Sequence, residues 1–169
     1  KRITHDGGQK IIMDNSGSNG VDAGISLGLD GPNSYMALGQ VGESGLPMIT
    51  KTYRINSPGN GLSATHVLME ADSNTNAIVM NGILTIFPGR AGYNQQRGFI
   101  QYGINYSAYS GALYGNHYEL HRQGVTGYSN LALVKSGLKV QLEVTSNTAA
   151  VGRIQMIWQG QLYNHRHNY

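Results

Sequence analysis

The sequence predicts an all-β fold, an antiparallel β-sandwich of jelly-roll type, and three features carry that expectation. From Ile25 onward, short apolar runs alternate with clusters of turn residues at close intervals, the spacing of sandwiches and barrels. Glycine accounts for 24 of the 169 residues, and with Asn, Ser and Thr it disfavours helix interiors while suiting tight turns. No window places apolar residues at the i, i+3, i+4 and i+7 spacing of an amphipathic helix without a Gly or Asn interruption.

Strands are expected, in order, over 25–29, 35–41, 47–56, 65–71, 77–87, 98–106, 118–122, 130–135, 138–145 and 153–163. The first is closed by Asp30-Gly31-Pro32-Asn33, the third by Ser57-Pro58-Gly59-Asn60-Gly61, the fourth by Asp72-Ser73-Asn74-Thr75-Asn76 and the fifth by Pro88-Gly89-Arg90-Ala91-Gly92. The clearest period of two is Lys139 to Thr145, with Val140, Leu142 and Val144 on one face and Lys139, Gln141 and Glu143 on the other. A second, Arg153 to Gln159, keeps Ile154, Met156 and Trp158 together, and the loop at Ser146–Gly152 predicts that these two strands pair antiparallel. Residues 1–24, polar and Gly-rich, read as an extended neck that borrows its core from neighbouring chains, ahead of a recognition domain at 25–169.

Composition narrows the function classes. Charged residues make up 12% of the chain, against roughly 25% in an average domain, so its surface is built from Asn, Gln, Ser, Thr, Gly and Tyr. The net charge is +3 and the Lys and Arg residues are scattered singly, which gives no footprint for a nucleic-acid backbone. Cysteine is absent, and with it disulfides and thiolate chemistry. No apolar run approaches the ~18 residues of a membrane helix, so membrane insertion is not expected. The first residues lack an initiator Met and a signal-peptide core, and are read as the start of a processed product or fragment.

Motifs for nucleophile-elbow, zincin or phosphate-loop chemistry are absent. A glycosidase needs a facing carboxylate pair; Glu70/Asp72 and Glu119/Glu143 are the nameable candidates, solvated acids are the simpler reading, and the chain is expected not to be an enzyme. His117 and His121, four apart on a presumed strand, share a face without a third ligand. His165 and His167 also share a strand face. Around a threefold axis such a pair would offer six nitrogens to iron or zinc, although a frayed polar terminus explains them as well.

Tyr93, Tyr102, Tyr106, Tyr109, Tyr114, Tyr118 and Tyr128 crowd a short segment among Gly, Ser, Asn and Gln. Such rings offer rigid apolar area and a hydroxyl, a composition suited to recognition. Tyr102 and Tyr106 are assigned to covering a half-buried sheet, with Ile104 on the opposite face, and Tyr93, Tyr109, Tyr114 and Tyr118 to receptor-binding loops. Arg90 and Arg97 flank them, as does Arg122, and suit an acidic sugar or a lipopolysaccharide phosphate.

The Gly/Asn/Ser/Tyr-rich composition, the polar neck, the absence of Cys and His165-Arg166-His167 together resemble the receptor-binding tips of tailed-bacteriophage fibres and tailspikes. That resemblance implies an extracellular, virion-borne homotrimer attached to other virion proteins through its N-terminus. Its distal β domain would bind a host glycan or outer-membrane protein, with His-x-His pairs holding an axial metal. This chain departs from the metal-fibre pattern in having one such pair. A purely structural virion or trimerisation domain, and a non-viral lectin or adhesin module, fit the same composition.

Overall fold

The computed structural model describes residues 2–6, 10–16, 22–30, 33–40, 48–71, 79–89, 98–125, 127–147 and 152–162. All regular structure among them is β. The strands are β1 (Arg2–Asp6), β2 (Lys10–Ser16), β3 (Asp22–Asp30), β4 (Asn33–Gln40), β5 (Met48–Asn56) and β6 (Ser63–Glu70), then β7 (Val79–Pro88), β8 (Phe99–Tyr109), β9 (Ala112–Gln123), β10 (Tyr128–Ser136), β11 (Lys139–Ser146) and β12 (Arg153–Leu162). They form two antiparallel sheets, one ordered β1-β2-β3-β4-β5-β12-β7-β8-β9 and one ordered β10-β11-β6.

The period of two decides which residues enter the core. On β8 the burial alternates strictly from Ile100 to Ala108, and on β11 and β12 it does so along each whole strand. Val140, Leu142 and Val144 from the small sheet and Leu84, Ile86, Ile100, Ile154, Met156 and Trp158 from the large one belong to a single apolar cluster. Burying each such side chain contributes about 1.5–3 kcal/mol, which makes this layer the main source of stability. Tyr102, Ile104 and Tyr106 all lie in it. Ile104 therefore does not face away from the two tyrosines, because residues two apart on a strand share a face.

Several expectations are corrected. β11 and β12 do not pair: β11 lies between β10 and β6, and β12 between β5 and β7. Both had the right buried faces, and those faces meet across the core rather than side by side. The strands β7, β8 and β9 run as a meander within one sheet and β10 and β11 as a hairpin within the other. That is not the alternation between sheets that gives the Greek keys of a jelly roll. Two strands, β1 and β2, precede the first expected one and extend the sheet as an antiparallel meander; the neck expectation concerns neighbouring chains, which pairing within one chain leaves as it stands.

The segment between the expected strands at 98–106 and 118–122 is also strand. Ser110 (φ 49°) and Gly111 (φ 74°) make a two-residue turn with positive φ at both positions, the geometry that matches the twist of a hairpin. Tyr109 therefore ends β8, and Tyr114 and Tyr118 stand on β9 rather than on loops.

At the centre of the large sheet, Gly160 of β12 is paired with Gly82 of β7. A Cβ on Gly82 would lie 2.2 Å from the Gln159 carbonyl oxygen. Gly82→Ala is therefore expected to destabilise the fold by about 2–3 kcal/mol, read from the denaturation midpoint of the fluorescence of Trp158, the single tryptophan and fully buried. On β6, His66 is paired with the fully buried Leu142, its Nε2 is buried without a hydrogen-bond partner among the described residues, and burial pushes its pKa below the ordinary 6.5. A histidine held neutral in this way loses stability as pH falls from 6.5 toward its folded value. His66→Leu should flatten the decline in denaturation midpoint between roughly pH 7.5 and 5.5; an unchanged slope would show that this imidazole does not control it.

Candidate functional site

Residues directly opposite one another in an antiparallel pair share a face, so the registers fix what the outer face of the large sheet displays. One row across the strands reads Gln161, Asn81, Asn105 and Asn116, from β12, β7, β8 and β9. The next reads Gln159, Ile83, Gly103 and Tyr118. On the other side of the amide row, Tyr114 stands opposite Ser107. Two tyrosines thus flank a line of amides, and Tyr114 and Tyr118 are 54% and 55% exposed.

The side chains of Asn81, Asn105 and Asn116 are exposed. Tyr109, at the hairpin end on this same outer face, is 61% exposed. Gly103 leaves a gap in the face that Leu120 covers, its methyls 3.4 Å from where a Cβ would sit. Amides offer both donors and acceptors, and the rings offer flat apolar area beside them. This combination matches the alternating hydroxyl and C–H faces of a sugar.

Leu120 is also the extra residue of a bulge, since Gln101 is opposite His121 whereas Tyr102 is opposite Glu119. The bulge separates the two histidines expected to share a face. His117 lies on the core side, opposite Ile104 and hydrogen-bonded through Nδ1 to the Tyr106 hydroxyl. His121 lies outside, its ring 5.0 Å from that of Phe99.

On the core side of β9, side chains bridge to the edge of the small sheet. Arg122 donates from Nε to both Glu119 oxygens at 2.9 and 3.1 Å and from Nη2 to Oε2 at 2.7 Å. Its Nη2 also reaches the Leu131 carbonyl at 3.0 Å. Burial pushes the Tyr102 hydroxyl up from its ordinary pKa, so it stays protonated, donates to Glu119 at 3.3 Å and accepts from the Leu133 amide at 3.5 Å. Lys135 returns from β10 to the Leu113 carbonyl at 2.9 Å. Arg122 is thus a structural tie and not the free guanidinium the sequence offered.

Of the residues named from sequence, the structure brings Tyr109, Tyr114 and Tyr118 onto one face. Tyr93, Arg90 and Arg97, and the metal candidates His165 and His167, lie outside the described residues. Among the described residues no group of three His, Asp or Glu side chains could hold a metal ion, and none forms a helix long and apolar enough to cross a membrane. Glu119 and Glu143 do not face each other: Glu119 is tied to Arg122, whereas Glu143 alternates with the buried Leu142 and Val144 and lies near the Asn130 amide. Glu70 pairs with Lys139 at 3.2 Å. The amide row was missed, although Asn105 sits between the inward Ile104 and Tyr106 and could have been found from that alternation.

No protein-family model matches the chain, and no curated protein matches it. A solved structure, the tailspike protein of Acinetobacter baumannii bacteriophage Fri1, a capsular polysaccharide depolymerase, is similar over 68% of this chain at 12% identity and a TM-score of 0.40. The likeness spans 18% of that tailspike's length. It corrects one expectation: with an enzyme as the similar structure, the reading of this chain as not an enzyme does not stand. A likeness this distant assigns no activity to the chain.

The Glu119 carboxyl is held below its ordinary pKa of 4.5, first by the hydrogen bonds from Arg122. A depressed carboxylate stabilises the fold above pH 4.5 and ceases to do so as pH falls through its folded value. Arg122→Ala should cost about 1 kcal/mol at pH 7, since the pair is partly exposed. The gap between the urea midpoints of variant and parent should narrow as pH falls below 4.5 and Glu119 is protonated.

Proposed function

We propose that this chain is a recognition domain of the phage fibre or tailspike type that binds a glycan of the host cell surface through the outer face of its β8–β9 hairpin. The observation that carries this reading is the row of exposed amides Asn81, Asn105 and Asn116 lying between the exposed rings of Tyr114 and Tyr118. Tyr109 extends the surface at the hairpin turn. Tyr93, Arg90 and Arg97 join the proposal on sequence grounds alone.

The physical case rests on economy of ordering. Tyrosines on a paired strand give up little freedom when a ligand arrives, so the apolar area they offer is not offset by the ordering of a loop. Asparagine amides then set orientation through paired donors and acceptors. A charge-poor surface also leaves neutral sugar hydroxyls free of competition from strongly hydrated ions.

The test is an array of purified bacterial surface polysaccharides probed with the labelled chain. Tyr114→Ala and Tyr118→Ala should each weaken binding by about 1 kcal/mol, roughly five-fold, while shifting fold stability by no more than about 0.5 kcal/mol. Retention of no polysaccharide, or full binding by the double variant, would remove the assignment; binding to whole cells that is abolished by protease would move it to a protein receptor.

A further inference from the structure

A second feature of the outer face lies beside the tyrosines, across strands β5, β12, β7 and β8. Two depressions of about 480 and 290 Å³ share Phe87 and Ile157 in their walls, and so form one continuous groove. Arg54 and Gln155, opposite each other on β5 and β12, line one end. Phe99, Gln101 and Gln159 line the other. Three interstrand steps give the groove a length of roughly 14 Å, enough for a short run of sugar units.

The aromatic floor is unusual for this chain. Its two phenylalanines are Phe87 and Phe99, and both face outward here with ring centroids 6.4 Å apart. Phe87 is 38% exposed. His121 continues the row against Phe99.

The charge is one-sided. Arg54 on β5 is exposed, and Arg153 on the neighbouring β12 lies opposite Asn56 on the same face. Among the described residues neither guanidinium has a carboxylate partner, and no Asp or Glu lines the groove. Two other cations do have one: Arg122 holds Glu119 and Lys139 holds Glu70. A guanidinium presents a planar fork of donors that fits a carboxylate in two parallel hydrogen bonds.

We infer that this groove is a binding site for a carboxylate-bearing polysaccharide, with a uronic- or sialic-type sugar acid held by Arg54, the adjoining ring faces stacked on Phe87 and Phe99, and Gln155 and Gln159 hydrogen-bonded to hydroxyls. The inference rests on the glycan-binding reading of the sheet and gives it a substrate class and a second subsite. It does not draw on the tyrosines, which stand on the edge strand β9 of the same face.

The deciding experiment uses uronate-bearing polysaccharides and the same polymers after reduction of their carboxyls to alcohols, each titrated against the whole chain and against Arg54→Gln, Phe87→Ala and the Tyr114→Ala/Tyr118→Ala double variant, with thermal unfolding as the check on folding. Expected is binding to an acidic polymer that drops at least ten-fold on carboxyl reduction, drops likewise in Arg54→Gln, and weakens in Phe87→Ala. Binding indifferent to carboxyl reduction or to Arg54→Gln overturns the inference while leaving the glycan-binding reading in place if the tyrosine variant fails. Binding confined to phosphate-bearing polymers overturns the carboxylate assignment, and retention of no polymer overturns both readings. Loss in Arg54→Gln with full binding by the tyrosine variant keeps this site and removes the other.

Discussion

The large sheet exists as one sheet because β12 lies between β5 and β7. On one side β12 pairs with β5 from Arg153 to Gln161, and on the other with β7 from Ile154 to Leu162. Without it, β5 with the strands before it and the β7–β8–β9 meander would share no hydrogen bonds. Its inward residues Ile154, Met156 and Trp158 are fully buried, so the strand that joins the sheet is also the one that anchors it to the core. The Gly82–Gly160 pair allows the backbones to meet there without side chains between them.

From that join follows the division of labour between the two faces. Inward positions on β12, β7 and β8 are filled by apolar side chains, tyrosines and glycine, and outward ones across β12, β7, β8 and β9 largely by amides, tyrosines and a few apolar residues. A sheet face is held in shape by its ladder of hydrogen bonds, so the groups on it keep their spacing whether or not a ligand is present. The edge strand β9 has a strand partner on one side only, and Arg122, Tyr102 and Lys135 tie it to β10 with side chains in place of a backbone ladder. The proposed recognition surface and the stabilising core thus sit on opposite faces of the same strands.

Much of this architecture was legible in the sequence. The all-β class, the near absence of helix signals, the inward faces of β11 and β12 and the prominence of Tyr114 and Tyr118 follow from composition and a period of two. What was not legible is non-local. Val140–Val144 and Ile154–Trp158 have the same pattern, and nothing within either segment says whether they pair or face each other across a core. The bulge at Leu120 inverts the side on which His121 emerges, and a one-residue irregularity leaves no mark on alternation. Arg122 looked available because its partners, Glu119 and the Leu131 carbonyl, are brought to it only by the fold. The outward phenylalanines were passed over because apolar residues are assigned to the core by default.

The central place of β12 also has a temporal meaning. Of the five strands β5, β7, β8, β9 and β12, the joining one is synthesised last, so the flanks of β5 and β7 that it will occupy stay open while everything between them is made. Open strand edges are templates for pairing with other chains, and pairings between segments far apart in sequence form slowly. A newly made chain therefore passes through an interval in which its sheet is in two parts, each with an unsatisfied edge, and its yield depends on how quickly one ten-residue strand finds its slot.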